Sequence, residues 1–161
     1  MSDKHIMDIL DSFIYTNVWL DCPEDIKEFL LKLSVLRGFT LTQCVAQTGR
    51  RESECYDILM GIGFVKYNES EHTYTFNPVF RHFISDILAN ETSEVIYNIT
   101  LNAAHTYMAS GSFYEAIELY ARVGHYQEIY DSDISLGKLY AYVIKSNKDT
   151  FFDIANHYWS V

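Results

Sequence analysis

The chain of 161 residues is 48% hydrophobic, ample for a packed core, and its two prolines and seven glycines favour helices over a loop-rich design. Twelve basic against 22 acidic residues leave a net charge of −10, a surface that repels phosphate backbones and weighs against direct nucleic-acid binding. No apolar run reaches the ~18 residues of a membrane span, and the charged start MSDKHIMDILDS is no secretory signal, so a cytoplasmic protein with no membrane partner is expected.

Taken in chain order, residues 6–20 place Ile6, Ile9, Leu10, Phe13, Ile14 and, less cleanly, Val18 on one helical face. The stretch DCPED breaks the chain and restarts it. Asp21 or Cys22 is the expected cap, Pro23 suits a first helical turn, and Glu24 and Asp25 suit the positive end of the helix dipole. Ile26, Phe29, Leu30, Leu33 and Leu36 then form a buried stripe that ends near Arg37-Gly38. TLTQCVAQTG reads as a short helix closed by Gly49. RRESECYDILMGIGF reads as another, with Tyr56, Leu59, Met60 and Ile62 inward and left-handed backbone at Gly61 and Gly63.

FVKYNESEHTYTF predicts a β-hairpin, two short aromatic and β-branched runs around a polar tip that contains His72. After Asn77-Pro78, the side chains Val79, Phe80, Phe83, Ile84, Ile87 and Leu88 take helical spacing. Pro78 suits an early helical position and Asn77 an N-cap. Residues from about 23 to 90 therefore run helix, helix, helix, wing, helix, the order of a winged-helix unit. Helical hairpins follow, from SEVIYNITLNAAHTYMASG with SFYEAIELYARVG through HYQEIYDSDISLG, KLYAYVIKSN and KDTFFDIANHYWSV. The expected divisions are 1–22, a connecting helix; 23–92, the winged helix; and 93–161, the hairpins. The fold class is mainly α with a two-stranded wing. Both ends fall inside amphipathic patterns, as expected of a piece of a longer protein.

Ala104, Tyr107, Gly111, Ala116 and Tyr120 follow the tetratricopeptide order of small, aromatic, turn glycine, small, aromatic. Alanine lacks bulk where two antiparallel helices cross closely, and the tyrosines fill the groove beside the crossing. The blocks FLLKLSVLRGFTLTQCVAQTG, ILMGIGFVKY, YTFNPVFRHFISDIL and GSFYEAIELYARVG, in that order, resemble the maltose-regulon-activator-like group of LuxR-type transcriptional regulators of the STAND class. The resemblance covers nearly all of the chain and lies in the order of blocks.

The resemblance implies a middle segment. An ATP- or ADP-binding module would precede it and a LuxR-type helix-turn-helix, the contact with DNA, would follow the helical sensor arm. The chain holds no GxxxxGK[ST] loop, so no cofactor is expected on the fragment itself. Its implied partners are the nucleotide-binding module and the sensor arm of the same polypeptide, and its implied role is a relay between them. Family members carry His before the junction proline, where it approaches a bound ADP phosphate. Here Asn77 stands in that place, able to donate one hydrogen bond but never cationic. Asn77 is thus a nucleotide-sensing candidate or only a helix cap. Pro78, Phe80 and Phe83 are the junction's packing residues.

Rival readings are a winged helix that reads DNA directly and a free-standing tetratricopeptide-type interaction module. Arg50 and Arg51 open the third helix, yet Glu52, Glu54 and Asp57 follow, and residues 39–92 carry four basic against seven acidic side chains. Those arginines more simply solvate the helix start or pair with a neighbouring domain. His82 and Ser85 lie one turn apart without a third residue to orient them, so they read as a solvated face and no enzyme is expected. His105 and His125 lack a carboxylate or thiol at ligand spacing, and no metal site is expected. Cys22, Cys44 and Cys55 form no CxxC pair and read as buried reduced thiols. With 13 Tyr and 10 Phe, the chain is aromatic-rich. The late group Tyr126, Tyr130, Tyr140, Tyr142, Tyr158 and Trp159 either stacks between repeats or presents an interface, and an exposed end would self-associate.

Overall fold

A computed structural model of the chain describes residues 3–132, 141 and 148–159. The chain divides into two compact units, Met1–Ile99 and Thr100–Val161. The first opens with α1 (Asp3–Ile14), which passes into a π-helical turn, Tyr15–Trp19. Then come α2 (Glu24–Ser34), α3 (Leu41–Thr48), α4 (Glu52–Gly61), strands β1 (Val65–Asn68) and β2 (Thr73–Phe76), and α5 (Pro78–Ala89). This is a winged helix with a two-stranded antiparallel wing, inside a mainly helical chain. The helices α6 (Ser93–Ala109), α7 (Phe113–Arg122), α8 (Tyr126–Asp131) and α9 (Lys148–Trp159) follow. Among the described residues no helix is long and apolar enough to cross a membrane. The expected helix over KLYAYVIKSN, with Tyr140 and Tyr142, lies outside the described residues, as do the side chains of Tyr158 and Trp159.

Local chemistry accounts for most boundaries. At the start of α3 the Gln43 N–H donates to Thr40 Oγ1 at 3.2 Å while the Thr40 N–H donates to Gln43 Oε1 at 2.9 Å, a reciprocal capping box. Gly49 ends that helix at φ +73°, a left-handed conformation that glycine adopts without steric cost. Pro23 is itself the N-cap of α2, at φ −56° and ψ 143° with no side-chain cap. The expected cap at Asp21 or Cys22 is therefore corrected: proline's fixed φ holds the chain extended until Glu24, where the helix starts. Within α2 and the turn after it, Phe29, Leu30, Leu33 and Leu36 are buried as expected.

Wing register pairs Val65 with Phe76 and Tyr67 with Tyr74. The alternation in β2 buries Tyr74 and Phe76 while Thr73 and Thr75 stay half-buried. Phe39 adds a bridge that the sequence pattern did not show. Its N–H donates to the Tyr74 carbonyl at 3.0 Å, and the Tyr74 N–H returns to the Phe39 carbonyl at 2.7 Å. The wing is thereby anchored to the segment between α2 and α3.

Two helices are partly turned relative to expectation, although Leu10, Ile14 and Val18 of the expected α1 face do lie inward. On α1, Ile6, Ile9 and Phe13 are 43%, 49% and 61% exposed, while Met7 and Leu10 are half-buried and Ile14 is buried. Both lines are apolar, and the wide π-helical turn before buried Trp19 selects the second. On α4, Cys55 and Leu59 are buried and Tyr56 and Met60 are exposed. The small Cys55 takes the inward position because α3 lies close, with Thr48 Oγ1 3.6 Å from its Sγ. Gly61 and Gly63 keep negative φ, so no left-handed turn closes α4.

Candidate functional site

The junction between wing and helix is built around Asn77. Its backbone N–H donates to the Phe64 carbonyl at 2.7 Å, closing the wing, and its Oδ1 accepts from the Val79 N–H at 2.9 Å. Pro78 takes the first helical position, where its missing N–H leaves no orphan. The capping bond occupies Oδ1, so Nδ2 is the donor that Asn77 could offer an anion.

Beside this cap runs a continuous series of rings. Phe64 stacks on Phe80 at 4.6 Å with the planes 5° apart. Phe76 meets Phe80 at 5.8 Å, Phe80 meets Phe83 at 6.2 Å, and Phe83 meets Trp19 edge-on at 5.6 Å. Toward the wing tip, Phe39 contacts Phe76 and Tyr74, and Tyr67 contacts Tyr74 at 4.8 Å. The series ends where the Tyr67 hydroxyl bonds His72 Nδ1 at 3.0 Å, with His72 at φ +53° in the turn. Offset and edge-on rings hold position more specifically than aliphatic contacts, so the series stiffens a path from wing tip to the N-terminal helix. Burial, then the neighbouring Tyr67 and Tyr56, pushes the Tyr74 phenol above its ordinary pKa.

α4 packs on α3 and turns its other face outward. Arg50 is engaged within the unit: its guanidinium donates to the Asp25 carbonyl at 2.8 Å and Asp25 Oδ2 at 3.1 Å, and lies over the Phe29 ring. Arg51 Nε donates to Glu54 Oε1 at 3.1 Å, a bond that lowers the Glu54 pKa and raises that of Arg51. Arg81 reaches back to the Arg37 carbonyl at 2.7 Å. Along its length α4 presents Glu52, Ser53, Tyr56, Asp57 and Met60 outward, a face without a basic side chain to offer a phosphate; the exposed Arg51 at its N-cap is paired with Glu54. A groove of about 550 Å³ between α2 and the end of α5 is lined by Glu24, Asp25, Glu28 and Glu91 against Lys27, again unsuited to an anionic ligand.

In the second unit, Ala104 and Ala116 are wholly buried and Tyr107 and Tyr120 nearly so. Gly111 turns the chain at φ +78°, and the Ser112 N–H donates to the Tyr107 carbonyl at 2.9 Å. His105 meets the edge of Tyr120 at 5.6 Å, joining α6 to α7. His125 Nδ1 is 2.8 Å from Glu128 Oε1, so this histidine does have a carboxylate neighbour, three residues on. Tyr126 stacks on His157, and the Tyr130 hydroxyl donates to the Ile154 carbonyl at 2.7 Å, joining α8 to α9.

Other singled-out residues fall elsewhere. His82 turns to Asp86 and Asp11 rather than to Ser85. Cys44 and Cys55 are wholly buried against each other, and burial followed by the Cys55 thiol pushes the Cys44 pKa far up, which keeps it protonated and unreactive. The sequence reading missed Phe39, Phe64 and Trp19 as parts of the ring series. Phe64 opened the expected hairpin and Trp19 lay within the expected first helix, but neither fell on the faces read as buried, and Phe39 stood between two helical stretches.

A family profile described as MalT winged helix domain matches residues 15–96, just over half of the chain. No curated protein matches it.

Proposed function

Because the chain belongs to the MalT winged helix domain family, we propose that it is the non-enzymatic relay segment of a signal-responsive transcriptional regulator of the LuxR-type STAND class. Its partners in this reading are a nucleotide-binding module that holds ATP or ADP and a tetratricopeptide-like sensor arm that begins at about residue 93. DNA contact belongs to a separate helix-turn-helix of the whole protein. The wing and the Asn77-Pro78 junction meet the nucleotide module in one state and release it in the other, with α5 as the rigid element between.

The observation that carries this reading is the face of α4. In a DNA-reading winged helix the third helix enters the major groove and needs basic side chains there. Here Arg50 is tied to Asp25 and Phe29 and Arg51 to Glu54, and the outward residues include Tyr56, Asp57 and Met60. Tyr and Met suit a protein contact. The test is binding of the 161-residue chain to duplex DNA, followed by fluorescence anisotropy at about 50 and 200 mM salt. No saturable binding is expected at either concentration. Tight binding at the lower salt that weakens by roughly a thousandfold at the higher would replace the relay with a direct reader.

A further inference from the structure

The contact between α1 and α5 gathers three donor atoms to which the relay assigns no role. Asp11 lies on the same side of α1 as buried Ile14, and His82 and Asp86 stand one turn apart on α5, on one face of that helix. His82 Nδ1 is 3.2 Å from Asp86 Oδ2 and 3.9 Å from Asp11 Oδ2. One ligand atom from each residue lies within 4.8 Å of the other two. Two carboxylates this close repel unless positive charge stands between them. A separate observation concerns Asp11 Oδ1, which is wholly buried and has no hydrogen-bond partner. A carboxylate oxygen out of water and unpaired is costly. Its two oxygens share one carbon, so a cation held at Oδ2 can take Oδ1 as well.

We propose that Asp11, His82 and Asp86 form a divalent transition-metal site, suited to Zn²⁺, that staples α1 to α5. An imidazole nitrogen with two carboxylates is the mixed donor set zinc accepts, whereas Mg²⁺ and Ca²⁺ prefer oxygen alone. His82 and Asp86 are about half exposed on their side chains, so the ion enters from solvent and they close on it. Asp11, the least exposed of the three, fixes the ion against the interior and can chelate through both oxygens.

The experiment is the thermal unfolding midpoint of the metal-stripped 161-residue chain, with and without Zn²⁺. At about a hundredfold excess over Kd the midpoint should rise by roughly 5–10 °C. Mg²⁺ at the same concentration should leave it unchanged. His82→Gln, at a half-exposed position, should keep the metal-free midpoint and lose the zinc response. Asp11→Asn should also lose that response, because an amide in place of the carboxylate removes the charged oxygen pair that would chelate the ion. A wild-type chain indifferent to zinc would overturn the site. So would an undiminished response in His82→Gln, or an equal one to Mg²⁺.

Discussion

Phe80 is wholly buried and touches Phe64, Phe76 and Phe83, so its ring is the crossing point of the aromatic series. Phe80→Ala should cost about 3–5 kcal/mol in urea-unfolding free energy. A loss under ~1 kcal/mol would mean that the rings around it close the gap. Its importance was readable from sequence, since Phe80, Phe83 and Ile84 repeat at helical spacing after Asn-Pro. The pairing of His82 with Asp11 was not. It joins residues far apart in the chain, and only the packing of α1 on α5 brings them together.

Glu128 illustrates a charge effect with a defined sign. Burial pushes its carboxyl up, but the His125 hydrogen bond and the charges of His125 and His105 outweigh burial and lower its pKa. A lowered folded-state pKa contributes stability above the unfolded value and loses it as pH falls through the folded one. An ordinary glutamate titrates near 4.5, so the contribution is present at neutral pH and fades as pH falls below that. Unfolding curves of wild type and Glu128→Gln should differ modestly at pH 7, since the pair is partly exposed, and converge near pH 3. Divergence that grows on acidification would contradict the assignment.

At the scale of elements, α5 owes its start to Asn77 and its orientation to four buried side chains, Phe80, Phe83, Ile84 and Leu88. Asn77→Ala should lower stability by about 1 kcal/mol, while Asn77→Asp, which keeps the accepting oxygen, should be close to neutral. Equal losses in both variants would show that the amide nitrogen rather than Oδ1 matters. The capping chemistry of α3 and α5 was legible because Thr-x-x-Gln and Asn-Pro are local signals. The facing of α1 and α4 was not. Each carries apolar side chains on two neighbouring lines, and only tertiary packing decides between them. On α4 the decision rests on volume: Cys55 fits the close approach of α3, and Tyr56 does not.

For the whole molecule, the order of helices and wing was visible from turn residues and alternating periods, and the fold carries it from α2 through the wing to α5. The ring series was hidden, because Phe39 and Phe64 come from two separate connections and Trp19 from the end of the π-helical turn. If α4 is a protein-contact surface, Tyr56→Glu combined with Met60→Glu should leave the unfolding midpoint within a few degrees, both side chains being exposed. In the intact regulator the same pair should abolish the response to signal. A response that survives would remove α4 from the relay.

The π-helical turn at Tyr15–Trp19 holds one residue more than regular α-helix would need. Deleting a single codon there would let the helix close normally and advance every earlier residue by one place, roughly 100°. Ile6, Ile9 and Phe13 would step into the places of Met7, Leu10 and Ile14, and Leu10 would displace Asp11 from His82. Chain length in this segment is thus under tighter constraint than residue identity. A scan should find the exposed Thr16 open to substitution yet intolerant of deletion.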